Sequence, residues 1–221
     1  TDGKSKSSSG RSLMRISPSL ASADLLHMAE EIEFADRYFN EIHLDIEDGV
    51  VVSGITFGIK MCRRICEYSH SSVKSIHLEV LNPMDYLTEI QSCQPTIVFI
   101  QLSHLKHPDR VVNAFKKAGL RVGISLNAVD RTSEHLAELL NLTDHFLIAT
   151  AFPEDPKQKY QKVMEEFALQ LAENHERKIW IDGGATAEII HRLSHSPIAA
   201  VVAGRAVFED KDQAVRQFCL E

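Results

Sequence analysis

Short apolar runs and longer amphipathic stretches alternate along the chain. The runs lie near 15–20, 42–47, 73–80, 96–102, 121–126, 145–151, 178–182 and 199–203. They are short enough for strands, and their apolar residues recur with period two. Between them the spacing turns helical. "DLLHMAEEIEFADRYF" opens on Asp24, an acid suited to capping a first turn, and "PMDYLTEIQSC" opens on Pro83. "HPDRVVNAFKKAG" closes on Gly119, a natural helix stop. "SEHLAELLNL", "KYQKVMEEFALQLAENH", "TAEIIHRLSH" and "KDQAVRQFCLE" complete the set, and Cys62 and Cys66, four apart, fit one more helix. Eight strand–helix repeats imply parallel strands joined by right-handed crossovers. The expected fold is α/β, a single-domain (β/α)8 TIM barrel over residues 14–221; a doubly wound open sheet is the alternative.

Several strands carry polar residues on the face that should point inward. In "EIHLDIEDGV", Ile42, Leu44 and Ile46 share one face and His43, Asp45 and Glu47 the other. In "SIHLEV", Ser75, His77 and Glu79 oppose Ile76, Leu78 and Val80. Trp180 and Asp182 share a face in "IWIDGG", as do Ser17 with Ser19, Gln101 with Ser103, and Ser125 with Asn127. One such strand would be an ordinary half-exposed strand. Six converging on one axis describe a polar site at the C-terminal mouth of a barrel.

Composition narrows the chemistry. The 221 residues are 44% hydrophobic and 25% charged, with net charge −7. No dense Lys/Arg patch appears, so nucleic acid is not an expected partner. No apolar run reaches membrane-spanning length. Residues 1–13, "TDGKSKSSSGRSL", are Ser-rich and aperiodic; they read as an appended leader or a disordered arm. The four cysteines, Cys62, Cys66, Cys93 and Cys219, lack the second ligand pair of a zinc site and read as reduced core thiols.

His43, Asp45, His77 and Asp182 supply two imidazoles and two carboxylates from three strands, a donor set suited to one divalent ion such as Zn, Fe, Mn or Co. The segments "RISPSLASADLLHM", "IHLDIEDG…ITFG", "SIHLEV", "VGISLN" and "IDGGAT…VVAGRAVF" closely resemble the ribulose-phosphate 3-epimerase family, in order and spacing, from Met14 to about Phe208. The resemblance implies a metal-dependent barrel that epimerises ketose phosphates at C3. It assigns the metal to His43, Asp45, His77 and Asp182, and the acid–base roles to Asp45 and Asp182. It places Ser19 against the substrate, and the phosphate near Gly183, Gly184, Gly204 and Arg205.

The sequence departs from the family at several of these places. Glu47 and Glu79 stand where the family has methionines, and Gln101 where it has a histidine on the fourth strand. Both glutamates are candidate substrate or metal contacts, with ion pairs outside the site as the plain alternative; Gln101 is a further candidate. The glycine-rich phosphate loop after the sixth strand is replaced by "AFPEDPKQKY", which has no glycine and adds Glu154 and Asp155. Arg205 replaces a serine. The expectation is therefore a cytoplasmic, homo-oligomeric isomerase acting on a small sugar phosphate. Two alternatives stay open: a catalytically weak paralogue that binds sugar phosphate as a sensor or assembly subunit, and another metal-dependent sugar isomerase or lyase. The lyase array D-x-K-x-x-D is not matched by "DIED", which lacks the lysine.

Overall fold

The computed structural model describes residues 13–102, 104–134, 136–152, 159–174 and 176–219. The strands are β1 (Arg15–Pro18), β2 (Glu41–Glu47), β3 (Val73–Glu79), β4 (Ile97–Gln101), β5 (Val122–Leu126), β6 (His145–Ala149), β7 (Lys178–Asp182) and β8 (Ala200–Ala203). They form one parallel sheet in the order β1-β8-β7-β6-β5-β4-β3-β2. A parallel bridge between Ser19 and His43 brings the two edge strands together. This is the expected TIM barrel, with helices between successive strands.

The helices are α1 (Met28–Tyr38), α2 (Ile59–Tyr68), α3 (Leu87–Cys93), α4 (Pro108–Lys117), α5 (Leu136–Leu142), α6 (Lys162–Ala172), α7 (Ala187–Leu193), α8 (Arg205–Phe208) and α9 (Lys211–Phe218). Two begin later than their caps suggest. Asp24 does accept a hydrogen bond from Leu26 N, at 3.0 Å, but the turn it closes is the 3₁₀ segment Leu25–His27, and α1 follows it. Pro83 likewise opens a 3₁₀ turn, Pro83–Tyr86, ahead of α3. Both residues fix the first turn without fixing its pitch. Once formed, α1 buries Met28, Ile32 and Ala35, the stripe its spacing predicts.

The outward strand residues, among them Ile42, Leu44, Ile76, Leu78, Ile179 and Ile181, pack against the helices in one continuous core. A second cluster fills the barrel axis: Ile97, Phe99, Leu147, Trp180, Ala200 and Val202. The rings of Phe99 and Trp180 lie 5.1 Å apart at 60°. Gly123 makes room for them, since a Cβ there would stand 2.3 Å from the Phe99 ring. Below Trp180, the Arg15 guanidinium lies 4.8 Å from the ring and 2.6 Å from Glu41. The axis is thus plugged by aromatic rings in its lower half. Two residues further along the same strands come Gln101 and Asp182, and the interior becomes polar. Cys62, Cys66 and Cys93 are buried free thiols, as expected, and Cys219 is half-buried. No helix among the described residues is long and apolar enough to cross a membrane.

Candidate metal centre and active-site cavity

Cross-strand register builds the site. Parallel pairing sets His43 beside Ser75, Asp45 beside His77, and Glu47 beside Glu79. Asp182, the last residue of β7, reaches the same centre from across the barrel. One donor atom from each of His43, Asp45, His77 and Asp182 falls within 4.8 Å of the others. His43 Nε2 lies 3.2 Å from Asp45 Oδ1 and 3.9 Å from Asp182 Oδ2. His77 Nδ1 lies 3.4 Å from Asp45 and 3.6 Å from Asp182.

The surroundings suit a cation. Ser75 Oγ donates to the Ile42 carbonyl at 3.2 Å and meets His43 Nδ1 at 2.7 Å. With its proton committed, the serine accepts from Nδ1–H. That fixes the tautomer whose Nε2 lone pair faces the carboxylates, the kind of outer contact that orients a metal-binding imidazole. Ser19 Oγ donates to Asp45 Oδ2 at 2.8 Å, leaving Oδ1 toward the cluster. Neither ring nitrogen of buried His77 has a hydrogen-bond partner among the described residues. A buried imidazole without partners is costly unless something else takes its lone pair, and a divalent ion would.

Electrostatics agree. Burial works against the Asp45 carboxylate, but the neighbouring His43, and then His77, hold its pKa well below the usual range. Burial also works against a charged His77. The neighbouring Glu79 charge, then Asp182 and Asp45, nevertheless raise its pKa well above the ordinary value. Two carboxylates and two imidazoles at these distances ask for positive charge, from protons or from a metal.

Above the cluster opens a cavity of about 630 Å³. Its wall includes Ser19, Asp45, Glu47, His77, Glu79 and Asp182, and on the far side Gly183, Gly184, Gly204 and Arg205. Gly183 and Gly184 have φ of 100° and 70°, the left-handed region that glycine favours. Gly204 is required by packing: a Cβ there would stand 2.1 Å from Ser22 Oγ. Arg205 begins α8 and is exposed at the cavity wall.

Several sequence expectations need correction or addition. Gln101 is buried but is not part of the cavity wall; its Nε2 reaches Asp130 Oδ2 at 3.3 Å. Asn127 organises the same turn, its Oδ1 accepting from Val129 N and Asp130 N. Ser103, Glu154 and Asp155 lie outside the described residues. Glu47 and Glu79 both line the cavity rather than pairing away from it: Glu47 accepts from Thr56 at 2.6 Å, and Glu79 lies 3.6 Å from His77. Burial first, and then Asp45, Asp182 and Glu47, lift the Glu79 pKa to about 7 against the pull of His77. Ser75, Thr56 and Lys159 belong to the site with no sequence motif to mark them. Lys159 stands in the cavity wall at the end of the glycine-free loop, and a lone lysine there carries no motif to announce it.

A parallel (β/α)8 barrel with a two-histidine, two-aspartate cluster at the C-terminal ends of its strands defines a TIM-barrel enzyme with a candidate divalent-metal centre. The match of residues 15–208 to the ribulose-phosphate 3 epimerase family shows that the chain belongs to that family, and it is an isomerase of the epimerase type. Ribulose-phosphate 3-epimerase of Helicobacter pylori strain J99 is 30% identical over 205 residues, covering 90% of this chain and 93% of the relative. The same-named protein of Methanocaldococcus jannaschii is 26% identical, covering 90% and 86%. Among solved structures, 3-hexulose-6-phosphate synthase from Salmonella typhimurium shares the fold with TM-score 0.69 at 15% identity, covering 93% and 97% of the two chains. A mutant tryptophan synthase alpha-subunit from Pyrococcus furiosus does so with TM-score 0.65 at 14% identity, covering 92% and 93%.

Proposed function

We propose that the protein inverts C3 of a ketose phosphate, a pentulose phosphate such as ribulose 5-phosphate. The observation that carries this reading is the convergence of His43, Asp45, His77 and Asp182 on one cavity in a chain of this family. The proton on C3 is acidified by the neighbouring C2 ketone, and its removal leaves an enediolate. Inversion then requires one group to take the proton from one face and another to return a proton to the opposite face. Asp45 and Asp182 fill these roles: they stand on β2 and β7, with β1 and β8 between them, and so reach the substrate from different sides. Ser19 holds Asp45 in place through Oδ2. A divalent ion held by His43, Asp45, His77 and Asp182 would, when bound, stabilise the negative charge of the enediolate.

The phosphate fits the β7–β8 side, where the glycines allow close backbone approach and Arg205 supplies charge. A hydrogen bond to an ion contributes about 1.5–3 kcal/mol net. Arg205→Ala is therefore expected to weaken a ketose phosphate by roughly ten- to hundred-fold, and the unphosphorylated ketose hardly at all. Equal effects on both sugars would remove the arginine from phosphate binding.

The test of the activity is deuterium incorporation at C3. Metal-loaded protein in D2O should exchange the C3 proton of ribulose 5-phosphate and accumulate xylulose 5-phosphate. No exchange across a panel of ketopentose and ketohexose phosphates would overturn the assignment.

A further inference from the structure

Glu47 and Glu79 occupy the rung above the metal centre. They are register partners on neighbouring strands, two residues beyond Asp45 and His77, and both line the cavity. Glu79 is only 8% exposed, and its carboxylate contact among the described residues is His77 Nδ1 at 3.6 Å, too long for a hydrogen bond. Glu47 is held rather than loose. Thr56 donates to its Oε2 at 2.6 Å, and Gly54 lets the loop come close, since a Cβ there would sit 3.2 Å from that oxygen. Side by side, the two carboxylates repel one another and lose hydration. A ligand that brings hydrogen-bond donors relieves both costs.

The ring of strands says which part of a ligand meets them. In the order β1-β8-β7-β6-β5-β4-β3-β2, closed between β1 and β2, β3 stands diametrically across from β7. The glycines and Arg205 line the β7–β8 side. A ketose phosphate with its phosphate there and its ketone over the cluster turns its other end, the C1 hydroxymethyl, toward β2 and β3. We infer that Glu47 and Glu79 form an acceptor pair that reads this hydroxyl, so that the enzyme selects ketoses with a hydrogen-bond donor at the non-phosphorylated end. The inference rests on the ketose-phosphate reading above and names a specificity determinant of the same site. A site that leaves buried acceptors unpaired rejects a ligand lacking the hydroxyl far more strongly than a purely apolar pocket rejects a missing methylene.

The test compares xylulose 5-phosphate with 1-deoxyxylulose 5-phosphate, which differ by that one hydroxyl, in protein matched for metal content. Dissociation constants and C3 proton exchange are both measured. The wild type should bind the hydroxylated sugar roughly ten- to hundred-fold more tightly. In Glu47→Met/Glu79→Met the ratio should fall close to one. Thr56→Val, which frees Glu47 without altering either carboxylate, should lower the ratio in part and so serves if the double variant does not fold. Equal binding of the two sugars by the wild type overturns the inference, as does an unchanged ratio in the double variant. If the binding ratio behaves as stated and neither sugar exchanges its C3 proton, the acceptor pair stands and the epimerisation reading falls.

Discussion

Asp182→Asn, loaded with metal, is expected to turn over roughly 10²–10⁴-fold more slowly than wild type, the range that a positioned proton-transfer group supplies. Asparagine keeps the shape and an acceptor oxygen but cannot carry a proton to or from carbon. Asp182 is the cleaner of the two aspartates to test. Its side chain is 22% exposed at the cavity, whereas that of Asp45 is 12% exposed and is held at once by Ser19, His43 and His77. Asp45 is the nearer of the two carboxylates to both imidazoles, so Asp45→Asn should lose metal and rate together. Turnover and metal content measured on the same samples separate the roles. A metal-replete Asp182→Asn protein that epimerises at the wild-type rate would end the two-carboxylate mechanism.

The strands and their two faces were legible because period-two alternation is a local property, and a barrel strand with one face on the helices must show it. The four-residue cluster was legible for the same reason. What stayed hidden depends on cross-strand register, which pairing across the sheet sets and local pattern does not. Ser75 becomes the partner of His43 only because β2 and β3 pair at that rung. Asp48 follows the site acids in sequence yet leaves the site. Its carboxylate accepts from Val50 N, Val51 N and Leu81 N and organises the loops instead. Those backbone donors hold its pKa down against burial. Gln101 has the right inward phase, but Asp130 on the next turn captures it. In each case an inward-phase or adjacent polar residue was visible, and the partner that decides its role came from another part of the chain.

His77→Ala is the substitution with the largest expected effect on metal. Wild-type protein should carry close to one divalent ion per chain, and the variant should lose most of it. His77 is buried with no hydrogen bond to either nitrogen among the described residues, so its ring serves no evident hydrogen-bonding role except toward a bound ion. It lines the cavity, where no apolar packing is lost with it, so the barrel should survive its loss. The metal-free wild type offers a second readout. Although burial opposes it, Glu79, Asp182 and Asp45 raise the His77 pKa well above 6.5 in the folded protein. A group raised on folding contributes stability that is fully present below its unfolded value and fades as pH rises through the folded value. Metal-free protein should therefore melt at progressively lower temperature as pH climbs above about 6.5, because the acids lose their counter-charge. Metal-loaded protein should resist that fall, since the ion takes the place of the proton and binds the folded state. In His77→Ala the pH-dependent decline should shrink and added metal should restore little. Full metal occupancy in this variant, or a metal-free wild type whose melting does not change across that pH range, would place the cation elsewhere in the barrel.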